Sequence, residues 1–82
     1  MDTPQDPAAQ RLARRLGVRM RALRVARNIS QEQLGDLAAL HRTFIGRVER
    51  GETNITVLSL ERICAALDLS LAEFFRPLVR EN

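Results

Sequence analysis

The sequence predicts a compact all-α domain of five helices. Apolar residues recur at helical spacing in successive stretches, and no stretch of useful length alternates as a β-strand does. Two of the predicted helices begin with a capping box, in which a serine is followed three residues later by glutamine or glutamate (Ser30 with Gln33, Ser70 with Glu73). These start signals divide the chain into separate helices and so support the all-α fold class.

Length and composition limit what the chain can be. Its 82 residues suffice for one domain with one modest core. We expect that domain over residues 8–76, with a flexible tail over residues 1–7 and a short C-terminal tail over residues 77–82. The sequence has neither a long apolar run nor the features of a signal peptide, which predicts a cytoplasmic protein without a membrane partner. One cysteine excludes an internal disulfide, and one histidine excludes the usual zinc sites.

The charge pattern favours a polyanionic partner. The formal net charge is +3 and the sequence pI is about 10.9. All 13 basic side chains are arginine, whose planar fork binds phosphate and guanine bidentately. A genomic bias towards arginine codons explains this usage equally well. The acidic residues are scattered and no glycine-rich loop follows a strand, so the sequence predicts no enzyme, no cofactor and no small-molecule ligand.

The first helix should begin at Pro7, with Asp6 as its N-cap. It should end near Arg27, where Asn28 can adopt left-handed backbone angles. Its predicted buried stripe comprises Leu12, Leu16, Met20 and Leu23. The arginines of this helix mostly indicate a solvated charged face, and they are Arg11, Arg14, Arg15, Arg19, Arg21, Arg24 and Arg27.

Two short helical patterns meet between Gln31 and Arg50 with about three residues between them, which is the spacing of a helix-turn-helix motif. The apolar face of the first comprises Leu34, Leu37 and Ala38. The second starts near Arg42, and its apolar face comprises Ile45 and Val48. Its outer face is small, hydrogen-bonding and cationic, as the major groove of DNA requires. That face comprises Arg42, Thr43, Gly46, Arg47 and Arg50.

Two further helices complete the domain. Gly51 should end the third helix in a left-handed conformation, and Thr56 should cap a fourth helix from Val57 to about Leu67. The inward positions of that helix are Leu60, Ile63, Cys64 and Leu67. A short fifth helix should run from Leu71 to about Arg76, where Pro77 ends it. Cys64 is then a core residue and not a nucleophile.

Three motifs carry a resemblance to a known family: R-x-x-R-N-I-S-Q-E-Q-L, L-H-R-T-F-I-G-R-V-E-R-G and L-D-L-S. With these motifs the chain resembles the lambda-repressor-like (Cro/CI-type, XRE) helix-turn-helix family from about Leu12 to Phe75. The stretch from His41 to Thr56 is most similar to the controller proteins of restriction–modification systems. The resemblance implies a sequence-specific transcriptional regulator that acts as a homodimer on inverted-repeat operators in double-stranded DNA. RNA polymerase is a further candidate partner.

The position of each residue in the motif predicts its role on DNA. The N-terminal end of the second helix of the motif enters the major groove. The predicted base contacts are Arg42, Thr43, Gly46 and Arg47. The predicted phosphate contacts are Gln31, Gln33, His41, Arg50 and Asn54. His41 has two other plausible roles, a cap of that helix and an exposed turn residue.

The resemblance also implies one buried ion pair, between Arg24 and Glu49, which would fix the angle between the first and third helices. Three positions depart from the family pattern and leave the operator sequence open. Ala39 stands where the turn usually has glycine, Phe44 where many controllers have tyrosine, and Thr53 where arginine is common.

A homodimer needs an apolar surface, and the sequence offers one. Val57 and Leu58 lie outside the inward stripe of the fourth helix, and Phe75 and Leu78 lie near the end of the chain. Of the neighbours Phe74 and Phe75, we expect one to face inward and one outward. The alternative function is an antitoxin-type interaction module that regulates its own operon. The short segment after the fifth helix disfavours it, because antitoxins often carry an added segment that covers the toxin.

Overall fold

The computed structural model describes residues 3–79. Within these residues the chain forms five α-helices followed by one 3₁₀ helix, and no β-strand. The predicted fold class is therefore confirmed. The elements are α1 (Pro7–Ala26), α2 (Gln31–Ala38), α3 (Arg42–Glu49), α4 (Val57–Ala66), α5 (Leu71–Phe75) and the 3₁₀ helix (Arg76–Leu78). None of the helices in this range is long and apolar enough to cross a membrane.

Each α-helix begins where a side chain accepts a hydrogen bond from the backbone of its first turn. Asp6 caps α1 and Thr56 caps α4, as predicted. Both expected capping boxes are present, so Ser30 and Ser70 mark the first turns of α2 and α5. The helix starts were predictable because a cap is a local interaction between residues three positions apart.

Helices α1 to α4 are each followed by a left-handed residue. Asn28 and Gly51 have φ of 62° and 73°, as expected after α1 and α3. Ala39 has φ of 58° and ends α2, although alanine is strained in this conformation by about 1 kcal/mol. Asp68, with φ of 60° after α4, was not predicted, although aspartate tolerates these angles better than most residues.

One core holds the helices together. Its buried residues are Met20, Leu34, Ala38, Ile45, Val48, Leu60, Ile63, Cys64, Leu67 and Phe74. The inward stripe predicted for α4 is confirmed in full, and burial raises the pKa of the Cys64 thiol, as expected for an inert core cysteine. Phe74 is fully buried and Phe75 is half-buried against its edge, with the ring centres 5.4 Å apart.

The predicted stripe of α1 was partly wrong. Leu12 is 48% exposed, whereas Ala13, Gly17 and Met20 are buried. The small residues Ala13 and Gly17 let the backbone of α1 approach α3 closely. A Cβ atom at Gly17 would collide with the carbonyl oxygens of Val48 and Glu49. Because these small residues occupy the buried face of α1, Leu12 lies at the edge of that face.

The apolar face of α2 also needed one correction. Leu37 is 63% exposed, while Leu34 and Ala38 are buried as predicted. The buried face of α2 is completed by Gly35, which packs against the turn that follows. Leu37 lies at the edge of that buried face, where it lines a surface groove with Arg62 of α4. The spacing of Leu37 in the sequence did not show whether it would lie within the buried face or at its edge.

Several arginines of α1 and its C-cap make hydrogen bonds to other parts of the fold, which a fully solvated face would not. Arg19 donates to the carbonyl oxygens of Phe74 (3.0 Å) and Glu73 (3.1 Å), and Arg27 donates to that of Leu67 (2.8 Å). These carbonyls lie at the ends of α5 and α4, where helices leave acceptors without an internal partner. Arginines on α1 therefore tie the C-terminal helices to the rest of the fold.

Both predicted tails contact α1 where the structure describes them. Pro4 is buried and its carbonyl oxygen accepts a hydrogen bond from Nε2 of Gln10 at 3.1 Å. This contact joins the predicted N-terminal tail to α1, and the flexibility of residues 1–7 stays a prediction. At the other end, Leu78 is half-buried and its carbonyl oxygen accepts from Arg15. Residues 1–2 and 80–82 of the predicted tails lie outside the described residues.

Candidate nucleic-acid interface

Helices α2 and α3 form the predicted helix-turn-helix, joined by residues 39–41. The backbone N–H of Leu40 donates to the carbonyl oxygen of Gly35 at 2.9 Å. A Cβ atom at Gly35 would lie 2.5 Å from the carbonyl oxygen of Leu40, so only glycine permits this tight turn. The turn, with the left-handed Ala39, sets the angle at which α3 leaves α2.

His41 caps α3. Its Nδ1 accepts a hydrogen bond from the backbone N–H of Thr43 at 3.0 Å. A neutral imidazole that accepts at Nδ1 carries its proton at Nε2. The exposed ring therefore retains one N–H donor, which suits a phosphate oxygen. The capping role is confirmed, and the phosphate contact stays a prediction.

The N-terminal end of α3 presents its side chains to solvent. Arg42 and Thr43 are both exposed, as the predicted base contacts require. The guanidinium of Arg42 forms an ion pair with Glu32 of α2, with 2.8 Å between Nη1 and Oε2. Glu32 was not among the predicted site residues, because its contact depends on the angle between two helices.

Gly46 on α3 is covered by side chains. It is buried, and a Cβ atom there would lie 3.1 Å from Nη1 of Arg50 and 3.4 Å from Oε1 of Gln31. These two long side chains extend across Gly46, and its close approach to DNA stays a prediction. Arg47, on the same helix, is half-buried.

Arg50 is exposed and forms an ion pair with Glu52, with 3.0 Å between Nη2 and Oε1. The hydrogen bond between them raises the pKa of Arg50 and lowers the pKa of Glu52. Asn54, in the same loop, is exposed. Arg50 and Asn54, two of the predicted phosphate contacts, are thus accessible at the C-terminal end of α3.

The two glutamines at the start of α2 have protein partners. Gln31 is half-buried and its Nε2 donates to Oε1 of Glu49 at 3.1 Å. Oε1 of Gln33 accepts from the backbone N–H of Ser30 at 2.7 Å, which completes the capping box. Gln33 is exposed. The amide of Gln31 therefore supports α3 in this structure, while that of Gln33 lies at the surface.

The implied ion pair beneath α3 is present. Nε and Nη2 of Arg24 donate to the two carboxylate oxygens of Glu49 at 2.7 and 3.0 Å. The side chains are 11% and 2% exposed, and the hydrogen bond to Glu49 raises the pKa of Arg24. Arg24 also donates to the carbonyl oxygen of Ile29 at 2.8 Å. With Gln31 as a third donor, the buried carboxylate is well satisfied and fixes α3 against α1.

A helix-turn-helix family model (HTH_3) matches residues 20–74, from the middle of α1 to α5. The chain belongs to this family. The matched region contains the whole of the helix-turn-helix and both partners of the buried ion pair. HTH_3 proteins of the Cro/CI type are transcriptional regulators, so the resemblance inferred from the sequence motifs is confirmed.

Controller proteins are among the similar members of the HTH_3 family. Control protein C.SmaI of Serratia marcescens is 45% identical over 56 residues, which is 68% of this chain and 67% of that protein. The restriction–modification controller C.AhdI from Aeromonas hydrophila superposes with a TM-score of 0.78 at 36% identity, covering 80% of this chain and 96% of the other. The controller C.Esp1396I, solved as a tetramer on its natural 35 base-pair operator, gives 0.76 at 33% identity, covering 82% and 88%.

Proposed function

We propose that this regulator binds inverted-repeat operators as a homodimer and controls the genes of a restriction–modification system. The exposed N-terminal end of α3 carries the proposal, because it presents Arg42 and Thr43 from a helix whose orientation is fixed by the turn and the buried ion pair. The similarity to controllers supports the choice of target genes. Such a regulator works in the cytoplasm and can contact RNA polymerase beside its operator.

Base readout would come from α3. Arg42 is placed to donate bidentately to a guanine, and Thr43 can offer its hydroxyl to a base or its methyl group to thymine. Arg47, about one turn further along, would reach either a base or a phosphate according to the tilt of α3. Gly46 would take part only through its backbone, after Gln31 and Arg50 move away from it.

Phosphate contacts would lie near both ends of α3, the proposed recognition helix. Gln33 is exposed in the first turn of α2 and the Nε2–H group of His41 is exposed at the start of α3, while Arg50 and Asn54 are exposed beyond its end. Two flanking groups of this kind fix the register of a helix in the groove without reading sequence. For Gln31 to join them, its amide would have to leave Glu49.

The proposed dimer surface is formed by residues of α4, α5 and the 3₁₀ helix. Val57 is 73% exposed and Leu58 is 58% exposed at the start of α4. Phe75 and Leu78 are half-buried and could complete the surface. The C.Esp1396I controller assembles on its operator as a tetramer, which supports self-association as a property of similar chains.

Selection from a pool of random duplexes tests the function directly. The wild-type protein should enrich sequences with an inverted repeat, and log affinity for them should fall steeply with log salt because arginines displace counterions from phosphates. Binding to the enriched duplex and to a scrambled duplex is then compared by fluorescence anisotropy at physiological salt. Equal affinity for the two would exclude a sequence-specific regulator.

A further inference from the structure

Arg42 is held by a carboxylate at the surface expected to face DNA. Its Nη1 donates to Oε2 of Glu32 at 2.8 Å, and the two side chains are 65% and 63% exposed. Ion pairs this exposed add little to the stability of a fold. The importance of this pair lies in its place, because Glu32 brings a negative charge next to the residue best placed to read a base.

The two helix ends explain why the pair forms. Glu32 lies in the first turn of α2, where the positive end of the helix dipole favours a carboxylate. Arg42 is the first residue of α3, where the same dipole disfavours a cation. Glu32 compensates that charge from the neighbouring helix. The pair therefore bridges the two helices of the motif on its outer surface.

The geometry of the pair leaves Arg42 able to read a base. A guanidinium has five N–H donors, and only Nη1 of Arg42 is bonded to another side chain within residues 3–79. The edge formed by Nε and Nη2 has two parallel N–H groups. That edge matches the O6 and N7 acceptors of guanine, so Arg42 can bind guanine while it remains paired with Glu32.

We propose that Glu32 is a specificity-determining residue that acts through Arg42. This inference rests on the proposed role of Arg42 as a reader of guanine. On the operator, Glu32 holds the guanidinium in place while its outer edge binds the base. On other sequences, Arg42 gains a phosphate contact only by leaving Glu32 or by bringing the carboxylate towards the phosphate. Repulsion between these two anions then lowers non-specific affinity more than operator affinity.

The variant Glu32→Gln tests this, because it removes the charge but keeps a side chain of the same size. Affinity is measured for the duplex that wild-type protein selects and for its scrambled version over a range of salt concentrations. We expect the specificity ratio to fall about fivefold or more, mainly through tighter binding to the scrambled duplex. The salt slope for that duplex should steepen by about one, as Arg42 becomes available to a phosphate.

Asp36→Asn is the matched control, since Asp36 is an exposed carboxylate one turn further along the same helix. It removes the same charge from the same surface and should leave most of the ratio intact. In an Arg42→Ala background, Glu32→Gln should change the ratio no more than Asp36→Asn does. Circular dichroism of each variant establishes that it is folded.

Two results would overturn the proposal while leaving the regulator function standing. One is an equal loss of the ratio in Glu32→Gln and Asp36→Asn, which would show a general effect of charge. The other is an undiminished effect of Glu32→Gln when Arg42 is absent. A wild-type ratio of one would instead overturn the proposed function and this inference together.

Discussion

Arg42 and Arg47 lie on the same helix in different surroundings, so their substitution should have different consequences. Arg42 is exposed, whereas Arg47 is half-buried. Arg42→Ala should cost about 1–3 kcal/mol of operator binding and relax the preference at one base pair in each half-site. Anisotropy titrations of operators mutated one base pair at a time measure both effects. Unchanged operator binding by Arg42→Ala would mean that α3 is wrongly placed in the groove.

Arg47→Ala distinguishes the two roles left open for that residue. A loss confined to operators with one particular base pair would assign Arg47 to base readout. A similar loss on every duplex, together with a salt slope reduced by about one, would assign it to a phosphate. The same titrations serve for both arginines.

The buried ion pair allows a second test at the scale of single residues. Removing Arg24 or Glu49 alone should leave a buried charge and cost about 3–5 kcal/mol of folding free energy, whereas replacing both with apolar residues should cost much less. Urea denaturation of Arg24→Met, Glu49→Leu and the double variant gives the coupling energy. Losses that simply add would show that the pair is energetically independent in solution. The control Glu52→Leu breaks only the exposed pair with Arg50 and should cost far less.

At the scale of the elements, the sequence predicted what depends on neighbours along the chain. The caps at Ser30, Thr56 and Ser70 are local, so the helix starts followed directly from residue types. Leu12 and Leu37 were placed wrongly because periodicity gives the direction of a helix face only approximately. Which flank of a helix is buried then depends on how closely the neighbouring backbone approaches it. Here Gly17 allows α3 to approach α1, and Gly35 allows the following turn to approach α2.

In the candidate site, too, the local features were predictable and the contacts between helices were not. The residues of α3 could be assigned from their order in the motif, and the family resemblance supplied the pair of Arg24 with Glu49. The contact of Arg42 with Glu32 could not be predicted, since ten residues and a turn separate them. The burial of Gly46 was missed for a related reason, because it depends on where two flexible side chains from α2 and α3 extend.

The capping box of α5 leads to a prediction about acid stability. Oε1 of Glu73 accepts from the backbone N–H of Ser70 at 2.8 Å, and this hydrogen bond lowers the pKa of Glu73 below its ordinary value of 4.5. A lowered pKa means that the stabilisation is complete above about pH 4.5 and is lost as pH falls through the folded-state value. The melting temperature should therefore decrease with acid in the wild-type protein and decrease less in Glu73→Gln, which keeps the acceptor without titrating.

Thermal denaturation followed by circular dichroism between about pH 7 and pH 3 measures this difference. Glu61→Gln is the control, because Glu61 is an exposed carboxylate of α4 outside any capping box. Parallel curves for wild type and Glu73→Gln would show that the carboxylate does not stabilise the start of α5.

At the scale of the whole molecule, one copy of α3 cannot specify an operator, because a single helix reads only a few base pairs. A two-fold pair would place two such helices about 34 Å apart, one turn of B-DNA, on the same side of the duplex. Exposed apolar side chains favour association at about 25 cal/mol per Å² buried. Val57 and Leu58 are the most exposed members of the proposed dimer surface.

Leu58→Arg should therefore weaken self-association and operator binding together while each monomer stays folded, since Leu58 lies outside the core. Arginine is chosen because its charge attracts DNA, so weaker binding cannot come from repulsion. Leu37→Arg is the matched control: Leu37 is 63% exposed on α2, Leu58 is 58% exposed, and only Leu58 belongs to the proposed dimer surface. Sedimentation equilibrium and circular dichroism measure association and folding. If Leu58→Arg is folded and self-associates as strongly as the wild-type protein, the proposed two-fold interface lies elsewhere on the molecule.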